Sequence, residues 1–100
     1  MRPEPYITPD AEADVLAAAR YYQSERENLG LTFLEEFDRI LSLIRATPLS
    51  FTLVDHPVRR ALLHRFPYGV FYVSAEEQDT ILAVVDLRQD PETVRRAYKR

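Results

Sequence analysis

The sequence predicts an α+β fold in the order β-α-α-β-β-β with a short C-terminal helix, over one domain spanning residues 1–100. Three observations carry this. Apolar residues recur at helical spacing through the first half, they run at strand spacing through the second, and the links between elements are short. Helices followed by sequential strands bury their apolar faces best as an antiparallel helix hairpin packed on an antiparallel β-sheet.

The elements follow in order. Tyr6 and Ile7 lie between Pro5 and Pro9 and read as a short strand at a sheet edge, because proline cannot donate to a ladder. Thr8 then reads as an N-cap with Pro9 at the first helical position, and Asp10, Glu12 and Asp14 suit the positive end of the helix dipole. Ala11, Val15, Ala18 and Tyr22 share one face of this helix; being mostly alanine, that face lets a second helix approach closely. Asn28-Leu29-Gly30 is the break. Thr32 and Glu35 have capping-box spacing for the second helix. Phe33, Phe37, Ile40 and Ile44 form its apolar face, with Glu36, Arg39 and Ser42 on the other side, and Thr47-Pro48 ends it. Residues 49–57 read as a loop. Three strand-like runs complete the chain, Val58–Phe66, Tyr68–Ser74 and Thr80–Leu87, and Pro91 starts the last helix with Val94 and Tyr98 at i, i+4.

Composition narrows the functional classes. Hydrophobic residues make up 46% and charged residues 29%, enough apolar surface to fold and too much for a disordered chain. Cysteine is absent, which excludes a disulfide scaffold. No apolar run approaches the ~18–20 residues of a membrane span, and Met1-Arg2-Pro3-Glu4-Pro5 lacks the apolar core of a signal peptide, so the expected location is the cytoplasm. The net charge of −3 gives no overall attraction to nucleic acid. The charge is divided, however: residues 1–50 carry five basic and nine acidic side chains, residues 51–100 eight and seven, and all basic residues but Lys99 are arginine.

Two of the strand-like runs are apolar on both alternating sets. Val70 and Tyr72 fall on one side and Phe71 and Val73 on the other, and 80–87 behaves likewise. A strand apolar on both faces is covered on both. One helix hairpin covers one face, and a ten-residue tail is short for the other, so the expectation is a groove that binds a partner protein.

Catalytic chemistry is thinly represented. His56 and His64 are the only histidines, and with Asp55 they lack metal-ligand spacing; no metal and no cofactor are expected. Gly30 and Gly69 cannot build a phosphate loop. Ser74 lacks the glycines of a nucleophile elbow. The arginines are more informative. Arg59, Arg60 and Arg65 lie on or beside the first run, Arg59 and Arg65 on one face and Arg60 and His64 on the other, and Arg88 follows the third. Guanidinium groups there can hold phosphates or pair with an acidic partner segment. Tyr98, in the basic tail, can stack on a base or give a proton. Arg59, Arg65, Phe71, Val73 and Arg88 are the candidates for partner binding.

The order of elements, the run Arg59-Arg60-Ala61-Leu62-Leu63-His64-Arg65-Phe66-Pro67-Tyr68-Gly69-Val70-Phe71-Tyr72, and the apolar strand ending in Leu87-Arg88-Gln89-Asp90-Pro91 together resemble the RelE/ParE superfamily of bacterial toxins. The resemblance spans nearly the whole chain. It implies the toxin of a type II toxin–antitoxin system, held in a heteromeric complex by a cognate antitoxin that wraps its surface. ParE-like members inhibit DNA gyrase; RelE-like members cleave mRNA on the ribosome with Lys, Arg and a C-terminal Tyr or His. By this resemblance Arg60, Arg65 and Arg88 stand in for the arginines and Tyr98 for the C-terminal aromatic, and these four are the candidates for catalysis; but the only lysine is Lys99, and Leu87 and Gln89 stand where the pattern more usually has His and a second Arg. The resemblance therefore implies a ParE-like gyrase inhibitor, with a ribosome-dependent endonuclease or an inactive partner-binding relative as the alternatives.

Overall fold

A computed structural model describes residues 2–100. The elements are β1 (Tyr6–Ile7), α1 (Pro9–Glu25), α2 (Leu29–Ala46), β2 (Thr52–Asp55), β3 (Val58–Leu62), β4 (Tyr68–Ser74), β5 (Asp79–Asp86) and α3 (Pro91–Tyr98). The α+β class agrees with the sequence reading, and so does the element order apart from the added strand β2. The five strands form one sheet in the order β1-β5-β4-β3-β2.

The sheet departs from the expectation in three places. It is mixed, because β1 runs parallel to β5. The expected loop 49–57 contains β2, which pairs antiparallel with β3; alternation there is weak, and Leu53 is exposed on the sheet edge. The run Val58–Phe66 stops being a strand at Leu62, and residues 63–67 turn into β4.

The helices follow from local chemistry. Thr8 Oγ1 accepts the Ala11 N–H at 3.2 Å and Pro9 opens α1. Arg26, Glu27 and Asn28 make the turn, Asn28 with φ 68°, a left-handed conformation that asparagine tolerates. Gly30 is not part of the break. It lies inside α2, where an added Cβ would meet the Ala19 carbonyl oxygen at 2.5 Å. The glycine serves the close approach of α1 and α2 that the alanine face allows. Thr32 is likewise inside α2, its hydroxyl donating to the Asn28 carbonyl rather than capping.

The helix hairpin covers one face of the sheet. Phe33, Phe37, Ile40 and Ile44 pack with Val70, Tyr72, Ile81 and Val84, and an aromatic cluster forms where Phe33, Phe66, Tyr22 and Tyr68 meet. The other face carries a smaller cluster, Val58, Phe71, Ala83 and Val85, under Val94, Ala97 and Tyr98 of α3. The tail thus covers part of the face that the sequence left open. A bulge in β5 shifts its alternation: Phe71 pairs with Ala83 but Tyr72 with Ile81, so Leu82 is skipped and Ile81 and Ala83, two residues apart, face opposite ways.

Candidate functional site

The tail is held against the sheet at both edges. Asp90 caps α3, accepting the Thr93 N–H at 3.0 Å, and Pro91 follows. On the β2 side, the Asp55 carboxylate accepts from the Tyr98 hydroxyl at 3.2 Å and lies 3.2 Å from Lys99 Nζ and 3.4 Å from Arg95 Nε. The Lys99 hydrogen bond leads in holding the Asp55 carboxyl below the usual carboxylate range. On the opposite edge, β1 pairs only as far as Ile81. Beyond it, Asp14 Oδ2 accepts the Val84 N–H at 3.0 Å, and Arg100 donates to the Leu82 carbonyl and to Asp14. An ion pair thereby occupies backbone groups that a longer edge strand would take.

Between β3, β4 and the start of α3 lies a cleft of about 260 Å³, lined by Val54, Arg60, Phe71, Leu87, Gln89, Pro91, Val94 and Tyr98. Tyr98 stacks on Phe71, ring centroids 4.8 Å apart at 19°. Burial and the Asp55 charge push the Tyr98 phenol up, so it stays protonated and donates to Asp55. Arg60 faces this cleft because its cross-strand partner is Phe71, whereas Arg59 is opposite Tyr72 on the hairpin face.

The structure sorts the arginines. Arg60 and Tyr98 come together in the cleft. Arg59 donates to the Leu49 and Phe51 carbonyls and ties down the segment before β2. Arg88 is held by Asp86 through Nε at 3.0 Å and Nη2 at 2.7 Å, and that pairing depresses the Asp86 carboxyl. Arg65 and His64 are in the turn after β3, so the strand alternation that put Arg59 with Arg65 and Arg60 with His64 does not extend to them. Phe71 is buried beneath Tyr98, and Val73 is half-buried beside it. Among the described residues, no group of three His, Asp or Glu could hold a metal ion, and no helix is long and apolar enough to cross a membrane.

Three residues, two at or beside the cleft and one on the hairpin face, are not singled out by the sequence. Asp55 sat in an expected loop, and Gln89 was noted only as a departure from a pattern. Glu36 was placed on the solvent side of α2, but it is buried, and its carboxylate accepts the backbone N–H groups of His64 and Arg65. It fixes the turn that presents Arg65. Its signal was available, since Glu36 directly precedes Phe37 and lies within a turn of Phe33, at the rim of the apolar face.

Solved structures place this architecture. The chain has the fold of a ParDE chain. The match is to "Chromosomal ParDE TA system from P. aeruginosa", with a TM-score of 0.74 and 18% sequence identity, covering 84% of this chain and 95% of that one. At that identity the likeness is one of fold. No protein-family model matches the sequence. No curated protein matches it either. The α+β arrangement expected from the order of elements is therefore one that a solved ParDE chain shares.

Proposed function

We propose that this chain is the toxin of a type II toxin–antitoxin pair, neutralised by a cognate antitoxin and acting by binding DNA gyrase. The observation that carries the reading is the shared fold with a ParDE system over most of both chains, joined to the sequence resemblance. The chemistry of the cleft supports binding over cleavage. General acid–base work on RNA needs groups that take and give a proton near neutral pH. The cleft offers Arg60, Gln89 and a Tyr98 whose phenol is pushed up, while both histidines lie outside it. Arginine is a poor base at any such pH.

The test is a supercoiling and cleavage assay with gyrase and the purified chain, paired with growth on induction. Inhibition of gyrase, relieved by co-expression of a small protein encoded beside this chain, is the expected result. Growth arrest with unaffected gyrase and cleaved mRNA in ribosomal A sites would move the function to the endonuclease alternative. No arrest under either condition would leave an inactive partner-binding relative.

A further inference from the structure

Arg60 is the cation whose environment asks for a partner. Its stem is seated over Gly69, where an added Cβ would come within 3.2 Å of Arg60 Cγ and 3.3 Å of the Leu87 methyls. Its Nε is buried and has no hydrogen-bond partner. Among the described residues its guanidinium makes no ion pair, whereas Arg88, Arg95 and Arg100 all do. A buried donor without an acceptor is a standing cost that a fitting acceptor removes.

The surroundings define that acceptor. The walls are apolar, from Val54, Phe71, Leu87 and Val94, and strengthen any charge pairing by excluding water. The Tyr98 hydroxyl is already spent on Asp55, so the Gln89 amide is the second available donor. The cleft, at about 260 Å³, falls just below the ~300–1,000 Å³ of sites for whole small molecules and suits one side chain with its methylenes. Asp55, which binds the lining Tyr98, and Asp90, between the lining Gln89 and Pro91, are negative charges that disfavour a chain of phosphates. We infer that this cleft receives a single Asp or Glu side chain from a partner polypeptide, with Arg60 as its counter-charge and Gln89 as a supporting donor. The inference deepens the toxin reading, on which it rests only for naming the antitoxin as the source of that side chain.

The test uses the full chain, with the Nε–Hε resonance of Arg60 as reporter. The probes are a blocked Leu-Glu-Leu tripeptide, its Leu-Gln-Leu counterpart, inorganic phosphate and a uridine–adenosine dinucleotide. The Glu peptide should move the Arg60 signal saturably and bind about tenfold more tightly than the Gln peptide, as expected for a charge-assisted pair. Arg60→Gln should abolish that preference, and Gly69→Ala, which presses on the Arg60 stem, should weaken it, while the backbone spectrum stays folded. Should Arg60→Gln fail to fold, the Glu-against-Gln comparison on the native chain still decides. Equal binding of the two peptides, tighter binding of phosphate or the dinucleotide, or a preference that survives Arg60→Gln would each overturn the assignment. The outcomes separate from those for the toxin reading. A chain that prefers the Glu peptide but is harmless on induction keeps the cleft and loses the toxin. A toxic chain whose Arg60 ignores the peptide does the reverse.

Discussion

The two faces of the sheet are built on different physics. The hairpin face buries two long helices over large side chains, with Phe33, Ile40, Ile44, Val70, Tyr72 and Ile81 all nearly or fully inaccessible. The tail face is covered by eight residues of α3, about 12 Å of helix, none of them fully buried. What α3 lacks in apolar burial it makes up with the ties at Asp55 and Asp14. Apolar burial is insensitive to salt and to mild acid; exposed ion pairs respond to both. The hairpin face should therefore act as a foundation, and α3 as a cover whose hold loosens before the chain unfolds.

The sharpest way to break this comparison is to remove a large side chain from each face. Phe33→Ala opens a cavity amid Tyr22, Phe66 and Tyr68 and should cost about 3–5 kcal/mol in urea unfolding. Val94→Ala on α3 should cost under about 1.5 kcal/mol, since that valine is only half-buried and loses two methyl groups. Comparable losses would mean that the tail face contributes as much as the hairpin.

The next effects concern two polar or small residues that the hairpin face requires. Glu36→Ala leaves the His64 and Arg65 N–H groups without their acceptor and should cost about 1–3 kcal/mol, with Glu36→Gln milder because one oxygen remains. Gly30→Ala should also destabilise by about 1–3 kcal/mol, although alanine is the better helix former. The Cβ would press on the Ala19 backbone oxygen, which cannot swing aside. A more stable Gly30→Ala chain would show that the hairpin opens freely.

How much of this the sequence disclosed follows the same division. The hairpin was legible because helical periodicity is a local signal: Ala11, Val15 and Ala18, then Phe33, Phe37 and Ile40, announce their faces without knowledge of the fold. The cap at Thr8 and the helix start at Pro91 are local too. The tail face was not legible, because it depends on distant pairings. Phe71 and Val85 need α3, and no short-range pattern says that an eight-residue helix will lie over them. The β5 bulge at Leu82 breaks the alternation on which face assignments rest. Of the proposed site residues, Arg60 and Tyr98 converge as a resemblance suggested, but Asp55 and Gln89, which complete the surroundings, become visible only when β2 and the turn after β5 are placed in space.

Alkali sharpens the contrast from the hairpin side. Burial pushes the Tyr68 and Tyr72 phenols up to about 12. A group whose pKa is higher in the folded chain contributes fully below its unfolded value, near 10, and loses that contribution as pH rises toward 12. Absorbance titration should therefore show these two phenols ionising late, with stability falling from about pH 10 upward. Tyr72→Phe, which also removes the hydrogen bond to the Pro48 carbonyl, should take away one late phenol and soften the alkaline loss.

Acid and salt act on the other face, and gently. The Asp55 carboxyl is held below its usual range by Lys99, with Tyr98 and Arg95 adding to it. A depressed carboxyl stabilises above its unfolded value of 3.8, and that contribution disappears as pH falls through the lower folded one. Between neutrality and pH ~4 the cover should therefore hold, and below that α3 should loosen while the hairpin core persists. Amide exchange along 94–98 is the measurement, with the Phe71–Tyr98 ring contact as a second reporter. Asp55→Asn should produce the same loosening at neutral pH, and so should about 1 M salt, where screening acts over roughly 3 Å. Salt should then add less to the Asn variant, because of the two ties only the Asp14–Arg100 one is left for it to screen. If protection of 94–98 is lost only together with that of α2, the two faces open as one unit, and the tail is part of the core rather than a cover over the Arg60 cleft.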